Sequence, residues 1–178
     1  MSWPRKLLES PKKAALIALT VAASAGGILI GSRMPVRGED IIALEFVWTP
    51  ERALSLLEAW GPEKQEAARY SVWVDFPFII AYATLLMGLV VLGARGTRGW
   101  LQRLGLGLAP APWLAGLFDV VENAALLRIL ETPAVRPGAF LTGLAGACAT
   151  VKFALVIACA VYIIVAGSDW LVGRIRGR

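Results

Sequence analysis

The residues best placed to do chemistry lie in a stretch that otherwise reads as hydrocarbon. "LAGLFDVVENAALLRIL", residues 114 to 130, carries Asp119, Glu122 and Asn123 in its middle. At 100° per residue, Asp119 and Asn123 lie about 40° apart and Glu122 about 60° to the other side, so all three share one helix face. An unpaired ionised acid costs several kcal/mol at the centre of a membrane, even on lenient insertion scales. That face should therefore turn away from lipid and find a partner.

One cation is available at matching depth. Lys152 stands alone in the last apolar run, "AFLTGLAGACATVKFALVIACAVYIIVAG". It lies about 20 Å from the start of that run, and Asp119 lies about 16 Å from the facing end of its own. Two adjacent antiparallel helices bring the two to similar depth. The expectation is an Asp119–Lys152 or Glu122–Lys152 ion pair. One acid is then left over, protonated or served by another donor, with Tyr82 and Asn123 as the candidates. Asp75 precedes Phe76-Pro77, which suits a helix N-cap. Its other reading is a further carboxylate completing the same cluster. The candidate site is thus Asp119, Glu122, Asn123, Lys152, Asp75 and Tyr82. Such a site suits binding of a cation, a proton or a small ligand, or general acid–base work. As packing glue alone, contacts worth about 0.6 kcal/mol each give little in return for inserting two acids and a lysine.

The elements that position these residues follow from the apolar runs. Of 178 residues, 57% are hydrophobic, against roughly 45–50% in soluble domains. Four runs stand out: about 14–31, 76–94, 111–130 and 139–167. Each is long enough to cross a bilayer, which takes about 20 apolar residues. Pro110 and Pro112 leave two registers for the third: a start near Ala111, or a kinked helix from about Leu104. "ASA" at 23–25 resembles a signal-peptidase site, but the apolar run continues through Ile28, Leu29 and Ile30, which favours an uncleaved anchor. The expected fold is all-α: a four-transmembrane-helix bundle in a single membrane domain, with a short helical extracytoplasmic segment, 32–74, between spans 1 and 2. Within it, Thr49, Pro50 and Glu51 form a helix-start signature, and Gly61-Pro62 a stop. A second short helix is expected over 62–73. Trp48, Trp60, Tyr70 and Trp73 suit a headgroup zone, so the segment reads as a cap on the bundle.

Net charge is +5. The cations gather at the ends of apolar runs and form no stripe, which argues for topology signals and against nucleic acid as a partner. Four lie at the N-terminus, three after the second run (Arg95, Arg98, Arg103) and three in the tail. The loop after the third run has Arg136, with Arg128 close by. The positive-inside rule places both termini in the cytoplasm of a multi-pass protein of the cell membrane. The chain has no His, which removes histidine-based zinc sites, bis-His haem and Ser-His-Asp chemistry. No cofactor and no metal is called for. Cys148 and Cys159, about 16 Å apart along one helix, are too distant for a disulfide.

The stretches "FVWTPERALSLLEAWG", "WVDFPFIIAYATLL" and "LAGLFDVVENAALL" together resemble a group of small bacterial integral membrane proteins with four predicted spans. The likeness covers roughly residues 46 to 130. It implies the four-span fold and the membrane location, and it carries no activity or residue role. Three functions stay open. A binding or transport module would use the carboxylates, and a thin four-span pathway then calls for a homo-oligomer. An assembly subunit would use 32–74 against a membrane-complex partner. An enzyme acting on a lipid or isoprenoid would need an apolar cavity ending at Glu122.

Overall fold

The computed structural model describes residues 3–131 and 137–175, and among these every regular element is helical. The helices are α1 (Trp3–Glu9), α2 (Lys13–Gly31), α3 (Gly38–Glu45), α4 (Pro50–Gly96), α5 (Gly99–Leu108), α6 (Ala111–Glu131) and α7 (Ala139–Ile175). Four stretches are long and apolar enough to cross a membrane: α2, α4, α5 with α6, and α7. Arg136 falls outside the described residues.

α4 is two helices joined at a corner. Thr49 caps it, its Oγ1 accepting from the Arg52 amide at 3.4 Å, and Pro50 occupies the first turn. The corner is Gly61, at φ 70° and ψ 171°, a conformation that a Cβ disfavours. Pro62 then restarts the helix, where its missing N–H costs nothing. The Gln65 side chain donates to the Leu57 carbonyl at 2.7 Å, satisfying an acceptor left open by the end of the first arm.

The second arm, 62–96, runs without interruption through Asp75 and Pro77. A separate helix at 62–73 followed by a fresh start at Asp75 is therefore not what forms. Pro77 deletes one hydrogen bond, to the Trp73 carbonyl, and packing on both sides holds the helix through that gap. Asp75 is an interior residue and not an N-cap. α6 begins at Ala111, as one of the two registers has it, with α5 as a separate helix before it. α7 extends eight residues past Gly167, because nothing in "GSDWLVGRI" breaks a helix; Ser168 folds its hydroxyl back onto the Ile164 carbonyl at 2.9 Å.

α4, α6 and α7 pack against one another, and α2 lies along α4. α2 meets α4 where Thr20 sits on Gly88, a position with no room for a Cβ. Two apolar clusters fill the interior. One joins Leu44, Leu57, Val72, Leu126, Ile129 and Ala145. The other joins Leu16, Val90, Val91, Leu101, Tyr162 and Ala166. Along α4, α6 and α7 alike, the polar residues singled out above fall between the two.

Candidate functional site

α3 places an acid in the interior that the sequence reading left out. Ile41, Leu44 and Glu45 follow at helical spacing, so Glu45 belongs to the face that packs inward. Leu44 and Glu45 are both buried. The helix is held from outside by Lys64 of α4, whose Nζ donates to Asp40 Oδ1 at 2.8 Å. The preceding loop is held by the Val36 amide, which donates to Ser71 Oγ at 3.4 Å. Beyond α3, Phe46 stacks on Phe153 of α7 with centroids 5.7 Å apart. Adjacent residues, Glu45 with Phe46 and Lys152 with Phe153, thus fix the register of α3 against α7.

The next residue but one completes the closure. Trp48 has φ 51°, a left-handed backbone costly for a bulky side chain, by about 1 kcal/mol. Its indole lies over Gly146 of α7, where a Cβ would come within 2.6 Å of the ring. Gly146 is the hole into which Trp48 fits.

Lys152 sits at the centre. Its Nζ lies 3.0 Å from Asp119 Oδ1, 3.1 Å from Glu45 Oε1 and 2.9 Å from Glu122 Oε2. Glu122 is fully buried, and Asp119, Glu45 and Lys152 nearly so. Both acids expected to compete for the lysine therefore hold it together, joined by a third from α3. Tyr82 donates from its hydroxyl to the other oxygen of Asp119, Oδ2, at 2.8 Å. Asn123 donates from Nδ2 to Asp75 Oδ2 at 2.7 Å. Asn123 thus serves Asp75, on α4, while Tyr82 serves Asp119. All six residues singled out in the sequence gather on the facing sides of α4, α6 and α7.

Compared with known proteins, the chain matches no family model, no curated protein and no solved structure. The site is therefore read from its own geometry.

The electrostatics are uneven. Three acids hold one lysine, and a fourth, Asp75, is engaged by Asn123. Burial pushes the Glu45 carboxyl above its ordinary value, with the Lys152 ammonium pulling the other way. Glu45 Oε2 is buried with no hydrogen-bond partner among the described residues. Among those residues no group of three or more His, Cys, Asp or Glu is placed to hold a metal ion. Instead, the lysine ammonium occupies the point where the carboxylates converge. Four cavities open on the surface among the described residues, and none of the cluster residues lines them. Cys148 and Cys159 are both buried and free.

Proposed function

We propose that this chain is a multi-pass membrane protein whose long helices form a four-helix bundle, and that the carboxyl cluster around Lys152 binds and releases protons. Three features support the membrane placement. Exposed aromatics, Trp48, Tyr70 and Trp73 toward one end and Trp100, Trp113 and Trp170 toward the other, make two interfacial belts. From Trp73 to Arg95 along α4 is about 33 Å of helical rise, close to the hydrocarbon thickness. The excess of cations near Lys13, Arg95, Arg98 and Arg174 favours that end in the cytoplasm and residues 32–74 outside. The resemblance to small four-span bacterial proteins favours the same location.

The observation that carries the proton reading is a single ammonium within about 3 Å of three buried carboxyls from two elements. Such a group, fully ionised, holds excess negative charge in a medium of low dielectric constant, at a cost of several kcal/mol per uncompensated ion. Protons are the smallest species that relieve it, and the lysine already fills the place an external cation would take. The cluster then serves as a proton-holding station in a transport or relay path.

The test is infrared titration of the protein in lipid between about pH 5 and pH 9, a window well above free carboxyl values. A protonated-carboxyl band that titrates there, and that is reduced in Glu45→Gln, is expected. A band absent across the window overturns the reading. So do folded variants whose one defect is failure to assemble with a partner subunit.

A further inference from the structure

At the cytoplasmic end, a groove of about 350 Å³ opens between α2, α4 and α7. Its walls are apolar, from Leu89, Leu92, Ile163 and Ala166, and its rim carries Lys13, Arg95 and Trp170. A wider cleft of about 740 Å³ continues past Gly96 and Trp170 to Arg98, Asp169 and Arg174. Across both, four cations face one acid.

Arg95 is only half used. Its Nε donates to the Leu7 carbonyl of α1 at 2.9 Å. Its Nη2 is buried and has no hydrogen-bond partner among the described residues. A buried guanidinium nitrogen without an acceptor is unfavourable, since it has given up water for nothing in return. The same side chain stands on the rim of a groove with apolar walls. Trp170 closes one side, packed on the backbone at Gly96 and held under the Arg174 guanidinium at 5.4 Å.

We propose that this groove binds an anionic phospholipid of the cytoplasmic leaflet. The phosphodiester pairs with Arg95 and Lys13 at the rim. One acyl chain lies along Leu89, Leu92 and Ile163, and Trp170 sits at the level of the glycerol. An apolar channel ending in two cations matches this amphiphile end for end, whereas a soluble anion leaves the greasy walls bare. The inference rests on the membrane placement and is independent of proton exchange at Lys152.

Native mass spectrometry of the protein released from nanodiscs of equal phosphatidylglycerol and phosphatidylcholine reads the site directly. Retained lipid should be mostly phosphatidylglycerol. A cation near the surface is worth about 1 kcal/mol toward an anionic lipid, so Lys13→Gln and Arg95→Gln should each lower the ratio of retained phosphatidylglycerol to phosphatidylcholine about fivefold. Lys13 is exposed, so that variant reports even if loss of the Arg95–Leu7 bond harms folding. Gly167 lines the groove with open space at its Cβ, and Gly167→Phe should displace both lipids without changing charge. Arg103→Gln, outside the cleft, should leave the ratio unchanged. Equal retention of the two lipids, a ratio unmoved in Lys13→Gln, or an undiminished amount of retained lipid in Gly167→Phe overturns the proposal. Displacement of the lipid by excess glycerol phosphate would point to a soluble anion and also overturn it.

Discussion

Glu45 Oε1 lies 3.1 Å from Lys152 Nζ although 107 residues separate them in the chain. The contact ties a short helix between two candidate spans to the middle of the last one. It makes the carboxyl cluster a property of the assembled fold, since neither α3 nor α7 holds it alone. Whatever moves α3 changes the number of acids around the lysine. Whatever changes the charge of those acids changes how firmly α3 docks.

Removal of the lysine should expose how strongly the acids depend on it. Lys152→Met leaves Glu45, Asp119 and Glu122 buried without their cation. Breaking a buried pair from one side costs about 3–5 kcal/mol, so a large loss of stability in detergent denaturation is expected. Adding Glu45→Gln, Asp119→Asn and Glu122→Gln to Lys152→Met should recover most of it, because the charge left behind on all three partners is removed. A Lys152→Met protein as stable as the parent would mean that the ion pairs contribute nothing.

Asp75 offers a sharper case, because two roles predict different couplings. As an interior residue of α4 it accepts from Asn123 of α6, and a hydrogen bond to a charged group contributes roughly 1.5–3 kcal/mol. A double-mutant cycle of Asp75→Ala and Asn123→Ala should therefore show coupling of about 1–3 kcal/mol. A helix cap would lose stability on substitution with no coupling to Asn123, and Asp75→Ser would then be mild. Here Asp75→Ser should cost as much as Asp75→Ala, since serine is too short to reach.

These two cases also show what the sequence holds and what it hides. The facing set Asp119, Glu122 and Lys152 is legible because polar residues in an apolar run have few places to go, and helical rise gives their depth. Tyr82 is legible as a donor for the same reason. Glu45 is not, because it lies in a polar segment where another acid raises no question; its one signal is the shared face with Ile41 and Leu44. Asp75 misleads because Asp followed by proline is the local pattern of a helix start. Tertiary packing carries the helix through Pro77, and no local rule contains that information. The far end of α7 is missed on glycine, whose weak helix preference yields to an otherwise unbroken helical stretch.

α3 carries two acids that pull in opposite directions with pH. The Lys64 ammonium holds Asp40 below its ordinary value of 3.8. Its contribution is present above that value and is lost as pH falls through the lowered one. Burial raises Glu45 above its ordinary value of 4.5. A raised carboxyl takes up a proton as α3 docks, so docking weakens as pH rises from 4.5 through the raised value. Hydrogen-exchange protection of residues 40–46, corrected for intrinsic rates, should therefore decline on both sides of a maximum. Glu45→Gln should flatten the alkaline side and Lys64→Gln the acid side. Protection that simply rises with pH in the parent would mean that Glu45 stays ionised throughout.

Gly146 and Trp48 should behave as one unit. A methyl group at Gly146 would come within 2.6 Å of the indole, and the ring has little freedom because Trp48 is already in a left-handed conformation. Overpacking of this kind costs typically 1–3 kcal/mol. Gly146→Ala should lower stability by about that much and loosen protection over α3, since the Trp48 closure sits three residues from Glu45. Trp48→Ala alone should also destabilise, through lost burial. In combination the two should cost less than their sum, because the smaller residue vacates the space the new methyl needs. Strict additivity in that cycle, read by thermal denaturation in detergent, would place Trp48 away from α7 and leave the cluster open on the α3 side.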